Sequence, residues 1–134
     1  MDNLSLGKLG ERISSEYLQR KGYKIIEMNF HKRWGEIDIV AIDPKASPAP
    51  ERYGVSEGKD VLVFVEVKTR MEYDFITPEE SITPWKIRLL KRTALFYKNI
   101  HKELPELLRI DFVGVVLDQT FNPVKINLIK NITE

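Results

Sequence analysis

Several features that would identify a function are missing from this 134-residue sequence. It contains no cysteine, which excludes disulfide bonds, thiol catalysis and thiolate-bound zinc, and is compatible with a reducing compartment. The two histidines, His31 and His101, show no metal-binding spacing. No apolar run approaches the roughly 18 residues of a membrane-spanning helix, and the first residues lack the pattern of a signal peptide. We therefore expect a soluble, cytoplasmic protein that has no contact with membranes.

An excess of either charge is also missing. The 21 lysines and arginines nearly balance the 20 acidic residues, so any surface that attracts nucleic acid must be local. The length predicts a single domain over residues 1–134, and 43% apolar content is enough for one core. Residues 44–60, "PKASPAPERYGVSEGKD", are rich in Pro, Ser, Gly and charge, and predict a long mobile loop within that domain.

Hydrophobic periodicity predicts an α/β fold in the order helix-β-β-β-helix-β-β. The strand at 61–70 is the most apolar, so it should be central in the sheet. A β-helix-β step follows it and implies a right-handed crossover, hence a mixed sheet of about five strands flanked by helices. The predicted helices cover 4–20 and the region after Thr83, and the predicted strands cover 23–30, 36–43, 61–70, 109–118 and 124–130.

The second helix has two features of interest. Thr83 before Pro84 predicts its first turn, and the apolar stripe predicted for its buried face is Ile82, Trp85, Leu89, Phe96 and Ile100. Its basic residues form either a surface that tracks phosphates or an ordinary solvated face. They are Lys86, Arg88, Lys91, Arg92, Lys98 and Lys102.

Charged side chains interrupt the apolar strand "VLVFVEVK". Strand side chains alternate between faces, so Glu66 and Lys68 point the same way, roughly 6.6 Å apart along the backbone. On the preceding strand, Glu36 and Asp38 also share a face, which the same rule sets opposite Ile37 and Ile39. If these faces coincide, Asp38 and Glu66 converge.

Convergent carboxylates repel one another, so either one of them is protonated or a cation lies between them. A hard divalent ion such as Mg²⁺ is a natural partner for the oxygens of Asp38 and Glu66. Lys68 beside it can stabilise negative charge or orient a water molecule, an arrangement that suits phosphodiester hydrolysis. The alternatives are a solvated strand face and a structural salt bridge between Glu66 and Lys68.

The pair "GEIDIVAID" and "LVFVEVKTR" resembles the YraN-like uncharacterised protein family. This family belongs to the restriction-endonuclease-like, PD-(D/E)XK nuclease superfamily and is similar to Holliday-junction resolvases. The resemblance extends to "GKLGERISSEYLQRKGYKIIEMNF", "SITPWKIRLLKRTALFY" and "RIDFVGV", and so to nearly the whole chain. It implies a restriction-endonuclease-like fold.

The resemblance also assigns roles to residues. It implies that Asp38 and Glu66 are the two metal-binding acids, that Lys68 is the lysine of the motif, and that Glu11 is an additional acid at the metal. The implied activity is a Mg²⁺- or Mn²⁺-dependent nuclease acting on branched or structured DNA, for which a homodimer would fit. The alternative is a noncatalytic nucleic-acid-binding or adaptor module that retains the nuclease fold.

The remaining site predictions concern contacts to DNA. Lys86 lies in the first turn after the loop that leaves the catalytic strand, and Arg70 lies just past the motif lysine. Lys32 and Arg33 flank Trp34 at the predicted hairpin tip, where an aromatic residue among bases can stack on unpaired nucleobases. Alternatively, Trp34 packs against its own domain and Arg70 forms a structural salt bridge.

Overall fold

The computed structural model describes residues 2–44 and 59–133, and the predicted order of helices and strands is confirmed. Most of the predicted loop at 44–60 lies outside the described residues. The elements are α1 (Asn3–Arg20), β1 (Lys24–Lys32), β2 (Gly35–Asp43), β3 (Val61–Met71), a short 3-10 helix (Pro78–Ser81), α2 (Pro84–Ile100), β4 (Leu107–Leu117) and β5 (Pro123–Ile129).

The strands form one mixed sheet in the order β1-β2-β3-β4-β5. All neighbours are antiparallel except β3 and β4, which are parallel and are connected through α2. The strand β3 is central, as predicted, and most of its side chains are buried. An α/β fold with a five-stranded mixed sheet and flanking helices is therefore confirmed.

Local sequence signals explain where the helices start. The Asp2 carboxylate accepts a hydrogen bond from the Ser5 N–H at 2.8 Å and caps α1. The Thr83 hydroxyl likewise accepts from the Lys86 N–H at 3.2 Å, with Pro84 in the first turn as predicted. These caps fix the starts of both helices, and the cap of α2 also fixes the backbone of Lys86.

Two hydrophobic clusters form the core, one on each face of the sheet. The α1 side holds Leu18 and alternate residues of β3 such as Val63, whereas the α2 side holds Phe64 and Tyr97. Full burial of such a side chain contributes about 1.5–3 kcal/mol. The apolar stripe predicted for α2 is wrong in part, because its most buried residues are Leu90, Thr93, Ala94 and Tyr97. Trp85 and Ile100 are instead 67% and 51% exposed.

A buried polar network joins β2, β4 and the connection between α1 and β1. The Arg109 guanidinium donates to both carboxylate oxygens of Asp111, at 2.8 and 2.9 Å, and to Oδ2 of Asp43 at 2.8 Å. The Tyr23 hydroxyl accepts from Arg109 at 2.9 Å and donates to Asp111 at 2.9 Å. Because each charge here has several partners, the network stabilises the end of the sheet at which β2 ends and β4 begins.

Candidate active site

The alternation of side chains along β2 breaks at Asp38. Ile37 packs in the cluster on the α2 side, whereas Ile39 packs in the cluster on the α1 side. The prediction that these two isoleucines share one face is therefore wrong. The neighbouring strand changes faces at the same level, since Met28 packs on the α1 side and Phe30 on the α2 side.

On β1, the change of face coincides with an irregular backbone conformation at Asn29. The register of the flanking pairs, Met28 with Ile39 and Phe30 with Ile37, sets Asn29 opposite Asp38. Asn29 has a φ of 58°, a left-handed conformation that asparagine tolerates better than most residues. Sequence reasoning missed Asn29, although an asparagine within an apolar strand was a signal for an irregularity.

The strands β2 and β3 separate at the same point. Their paired residues end at Ile39 with Val65, whereas β3 continues beside β4 as far as Met71. Beyond the last pair, the Val67 N–H donates to Oδ2 of Asp38 at 2.8 Å. We call this separation, flanked by Asp38 and Glu66, the strand fork. Val67 itself packs in the core.

At the strand fork, Asp38 and Glu66 converge as the sequence predicted. The pKa of Asp38 is raised to about 8, first by burial, then by the negative charge of Glu66 and by a hydrogen bond between the two side chains. The Val67 N–H acts in the opposite direction, because it stabilises the carboxylate. Protonation of Asp38 is therefore one way in which the repulsion between these convergent carboxylates is relieved.

A nearby cation is the other way to relieve the repulsion between the carboxylates, and here that cation is Lys86. Nζ of Lys86 on α2 lies 3.1 Å from Oε2 of Glu66, whose side chain is 12% exposed. Burial disfavours the charged form of Lys86, but the carboxylates of Glu66, Asp38 and Glu36 together raise its pKa. Lys86, predicted to contact DNA near the site, thus lies within the acid cluster itself. The structural pair considered for Glu66 is formed with Lys86 and not with Lys68.

Glu11 approaches the same acids from α1. Its pKa is raised to about 7, first by burial and then by the charge of Asp38, while a hydrogen bond with Asn29 favours the ionised form. The close approach of α1 to β3 depends on Gly10, since a Cβ atom there would lie 1.7 Å from Oγ1 of Thr69. The structure therefore brings together Glu11, Asp38 and Glu66.

A pocket of about 250 Å³ opens beside these acids, between α1 and β3. Glu11, Lys68 and Arg70 line it, together with residues of the first turns of α1. Nε of Arg70 is buried without a hydrogen-bond partner in the described part of the chain, so the predicted alternative of a structural salt bridge has no support. Two cations, Lys68 and Arg70, and two acids, Glu11 and Asp74, thus share a cavity large enough for a phosphate group.

The hairpin tip packs on α2. Trp34 contacts Phe96 edge to face, at 5.1 Å between ring centroids, so it packs against its own domain. The ammonium of Lys32 lies 5.7 Å from the centroids of both Phe30 and Phe96, and Arg33 is exposed at the turn. Lys32 and Arg33 are therefore placed beside an aromatic cluster, and the structure gives them no contact with the acids.

The last residue near the acids is Glu36. It pairs with His31 across the hairpin, at 3.5 Å between Nδ1 and Oε2. Its charge also contributes to the raised pKa of Glu11 and of Asp38. Glu36 thus adds negative potential to the strand fork.

The donor set at the fork fits a hard divalent cation. Mg²⁺ commonly takes one or two protein carboxylates, completes its shell with water and substrate oxygens, and needs no closed protein cage. Asp38 and Glu66 supply two such carboxylates, and no group of three or more acidic or histidine side chains in residues 2–44 and 59–133 is arranged to hold a metal. The residues present therefore fit a two-carboxylate site with Glu11 nearby.

The fold and the site together define the class of protein. It is an α/β protein in which two acids meet where neighbouring strands of a mixed sheet separate, with lysines from the sheet and from a helix beside them. No helix in the described part of the chain is long and apolar enough to cross a membrane.

The chain belongs to the Uncharacterised protein family UPF0102, whose model matches residues 10–115. A UPF0102 protein of Syntrophomonas wolfei is 41% identical over 130 residues, covering 96% of this chain and 97% of that protein. A UPF0102 protein of Caldicellulosiruptor saccharolyticus is 37% identical over 131 residues, with 98% of each chain covered. One from Clostridium botulinum is 36% identical over 132 residues, covering 96% of this chain and 94% of its own. The predicted family resemblance is confirmed.

Proposed function

We propose that this protein is a divalent-metal-dependent nuclease that hydrolyses phosphodiester bonds in branched or otherwise structured DNA. The observation that carries the proposal is the strand fork, where the partly buried Asp38 lies against Glu66 and the charge of Glu66 raises the pKa of Asp38. A fold gains nothing in stability from two convergent buried carboxylates, so a ligand-binding role is the natural reason for them. Mg²⁺ or Mn²⁺ bound there would activate water and neutralise charge developing on the phosphate.

The chain's own residues then have separable tasks. Asp38 and Glu66 would hold the cation, and the Val67 N–H orients the Asp38 carboxylate toward it. Glu11 would bind a water molecule of the metal shell from the α1 side. Lys68 and Arg70, which line the adjoining pocket, would hold the phosphate and orient the attacking water.

One observation favours a second candidate, a noncatalytic nucleic-acid-binding module. Lys86 already neutralises Glu66 at 3.1 Å, so the acid pair is stable without a metal. In such a module the acids and Lys86 would be a structural remnant of the fold, and DNA would bind to the basic residues of α2.

The decisive experiment compares the wild type with the double variant Asp38→Asn, Glu66→Gln. Isothermal titration with Mg²⁺ and Mn²⁺ measures binding, and incubation with four-way junction, flap, single-stranded and duplex DNA measures cutting. Glu16→Gln is the matched control, since Glu16 lies on α1 in an exposed pair with Arg12.

A nuclease requires that metal binding and cutting vanish together in the double variant and persist in the control. A wild type that binds DNA but neither binds metal nor cuts any of the four substrates identifies the noncatalytic module. The sedimentation velocity of the wild type, alone and with junction DNA, tests the homodimer that symmetric cutting would need.

A further inference from the structure

Trp85 is the most conspicuous exposed side chain of α2. It lies in the first turn of the helix with 67% of its surface exposed, although the sequence pattern predicted it for the buried face. A tryptophan usually buries most of its ring, because that ring carries a large apolar area. The indole of Trp85 therefore presents a large aromatic surface that is available for contact with a partner.

A cation already lies against the indole. The Arg88 guanidinium carbon lies 5.6 Å from the Trp85 ring centroid. The guanidinium lies over the indole ring one helical turn along α2, and we call this pair the Trp85–Arg88 platform. Aromatic rings and guanidinium planes are the two protein groups on which nucleobases stack.

The charge around the platform is complementary to a polyanion. The helix α2 contains no acidic residue over its whole length, and Arg88, Lys91 and Arg92 are all exposed. A partner that is both aromatic and negatively charged matches this combination better than an apolar protein surface does. Nucleic acid has that chemistry.

Trp85 shares the first turn of α2 with a residue of the proposed active site. Trp85 directly precedes Lys86, whose ammonium contacts Glu66 at the strand fork. A strand of nucleic acid with a phosphate at the fork would therefore bring its neighbouring bases to the first turn of α2. In a duplex, the base faces are covered by stacking, so only an unpaired base can use such a platform.

We propose that the Trp85–Arg88 platform stacks an unpaired nucleobase and thereby selects DNA with a branch, flap or single-stranded segment. This rests on the proposed nuclease function for its biological meaning, but the binding itself does not require cleavage. It gives a residue-level reason for a preference for structured DNA over plain duplex.

The test uses the fact that the chain has only two tryptophans. Trp34→Phe leaves Trp85 as the single tryptophan, and Trp85→Phe leaves Trp34, which packs edge to face on Phe96. A short oligothymidine is titrated into each variant in the presence of EDTA. We expect strong quenching of the Trp85 fluorescence and little change in that of Trp34.

Affinity measurements complete the test. Trp85→Ala should weaken binding of oligothymidine and of a flap by about 5- to 100-fold, while duplex binding changes less than about twofold. Lys91→Gln is the matched control, because it removes one cation of the same helix face and should weaken duplex and single strands alike. Unchanged thermal melting of each variant confirms that it is folded.

Three outcomes would overturn the platform: equal loss on duplex and single strands, absence of Trp85 quenching, or a wild-type dimer that dissociates on Trp85→Ala. The last outcome would assign the surface to a contact between copies of the chain. The double variant Asp38→Asn, Glu66→Gln should retain the quenching. A protein that shows the quenching but neither binds metal nor cuts DNA refutes the nuclease proposal and leaves the platform standing.

Discussion

Lys86 Nζ and Glu66 Oε2 lie 3.1 Å apart, and this contact joins α2 to the central strand at the strand fork. The electrostatic potential of the two acids favours a positive charge at this position, because Glu66 also contacts Asp38, an acid whose pKa is raised to about 8. A divalent cation bound to Glu66 would meet Lys86 in the same place. Lys86 would therefore compete with the proposed metal for Glu66, and would be free to contact the substrate once displaced.

The competition can be measured on Lys86→Gln. We expect this change to raise the affinity for Mn²⁺ by about 3- to 10-fold, since a partly exposed ion pair contributes roughly 1 kcal/mol. Isothermal titration at pH 8 gives the value. Lys91→Gln removes an exposed cation of the same helix without contact to the acids and should leave the affinity unchanged. An equal affinity of wild type and Lys86→Gln would contradict the competition.

Metal affinity should also depend on pH in a defined direction. Since the pKa of Asp38 is raised to about 8, a proton competes with the metal below that pH. The apparent affinity for Mn²⁺ should rise as pH increases from 6 to 8, and level off above the pKa. Titrations in buffers of different ionisation enthalpy should show proton release on binding at pH 7. A flat affinity over this range would show that Asp38 is already ionised.

In the absence of metal, the raised pKa of Asp38 makes the fold more stable at low pH than at high pH. The folded pKa of about 8 lies above the value of 3.8 expected when unfolded, so the folded state binds more protons. The contribution of Asp38 is thus fully present below pH 4 and is lost as pH rises towards 8. Asp38→Asn removes the penalty but keeps an oxygen for the Val67 N–H.

We therefore expect Asp38→Asn to be more stable than the wild type at pH 9 by on the order of 2 kcal/mol. The difference should be smaller at pH 5, where Asp38 is still protonated in the folded state. Urea unfolding in EDTA at both pH values measures the difference. A variant that is less stable than the wild type at pH 9 would mean that the Asp38 carboxylate is ionised and paired in the fold.

The buried network around Arg109 should respond strongly to loss of one partner. Asp111→Ala removes the carboxylate that accepts hydrogen bonds from Arg109 through both of its oxygens. We expect a loss of about 3–5 kcal/mol in the free energy of unfolding. Tyr23→Phe removes only a hydroxyl and should cost about 1–2 kcal/mol. Chemical denaturation gives both values. The exposed pair of Arg12 with Glu16, 3.8 Å apart, is the control, since Arg12→Ala should change stability by less than about 1 kcal/mol.

The two glycines of α1 near the site should respond in opposite directions to alanine. A Cβ at Gly10 would lie 1.7 Å from Thr69 Oγ1, so Gly10→Ala must push α1 away from β3 and should destabilise by about 1–3 kcal/mol. Nothing lies within 4 Å of a Cβ at Gly7, so Gly7→Ala should stabilise by about 0.5–1 kcal/mol. Thermal melting distinguishes the two. A stabilised Gly10→Ala would show that this close approach is adjustable.

Much of the fold followed from local patterns. The apolar stretch at 61–70 predicted the central strand, and Thr83 with Pro84 predicted the start of α2, because solvent exclusion and capping act on neighbouring residues in the chain. The same logic set Asp38 and Glu66 on adjacent strands. It failed for Ile37 and Ile39, because the alternation rule holds only while the ladder is regular, and here it is interrupted opposite Asn29.

Sequence by itself thus determined the order of helices and strands, the family, and the acids that meet at the strand fork. Only the tertiary structure decided which cation neutralises them. Lys86 and Glu66 lie 20 positions apart on different elements, and their contact at 3.1 Å depends on how α2 packs on the sheet. The exposure of Trp85 was decided in the same way. The helical period predicts which side chains of α2 share a face. The extent of the sheet beneath α2 determines how much of that face is buried.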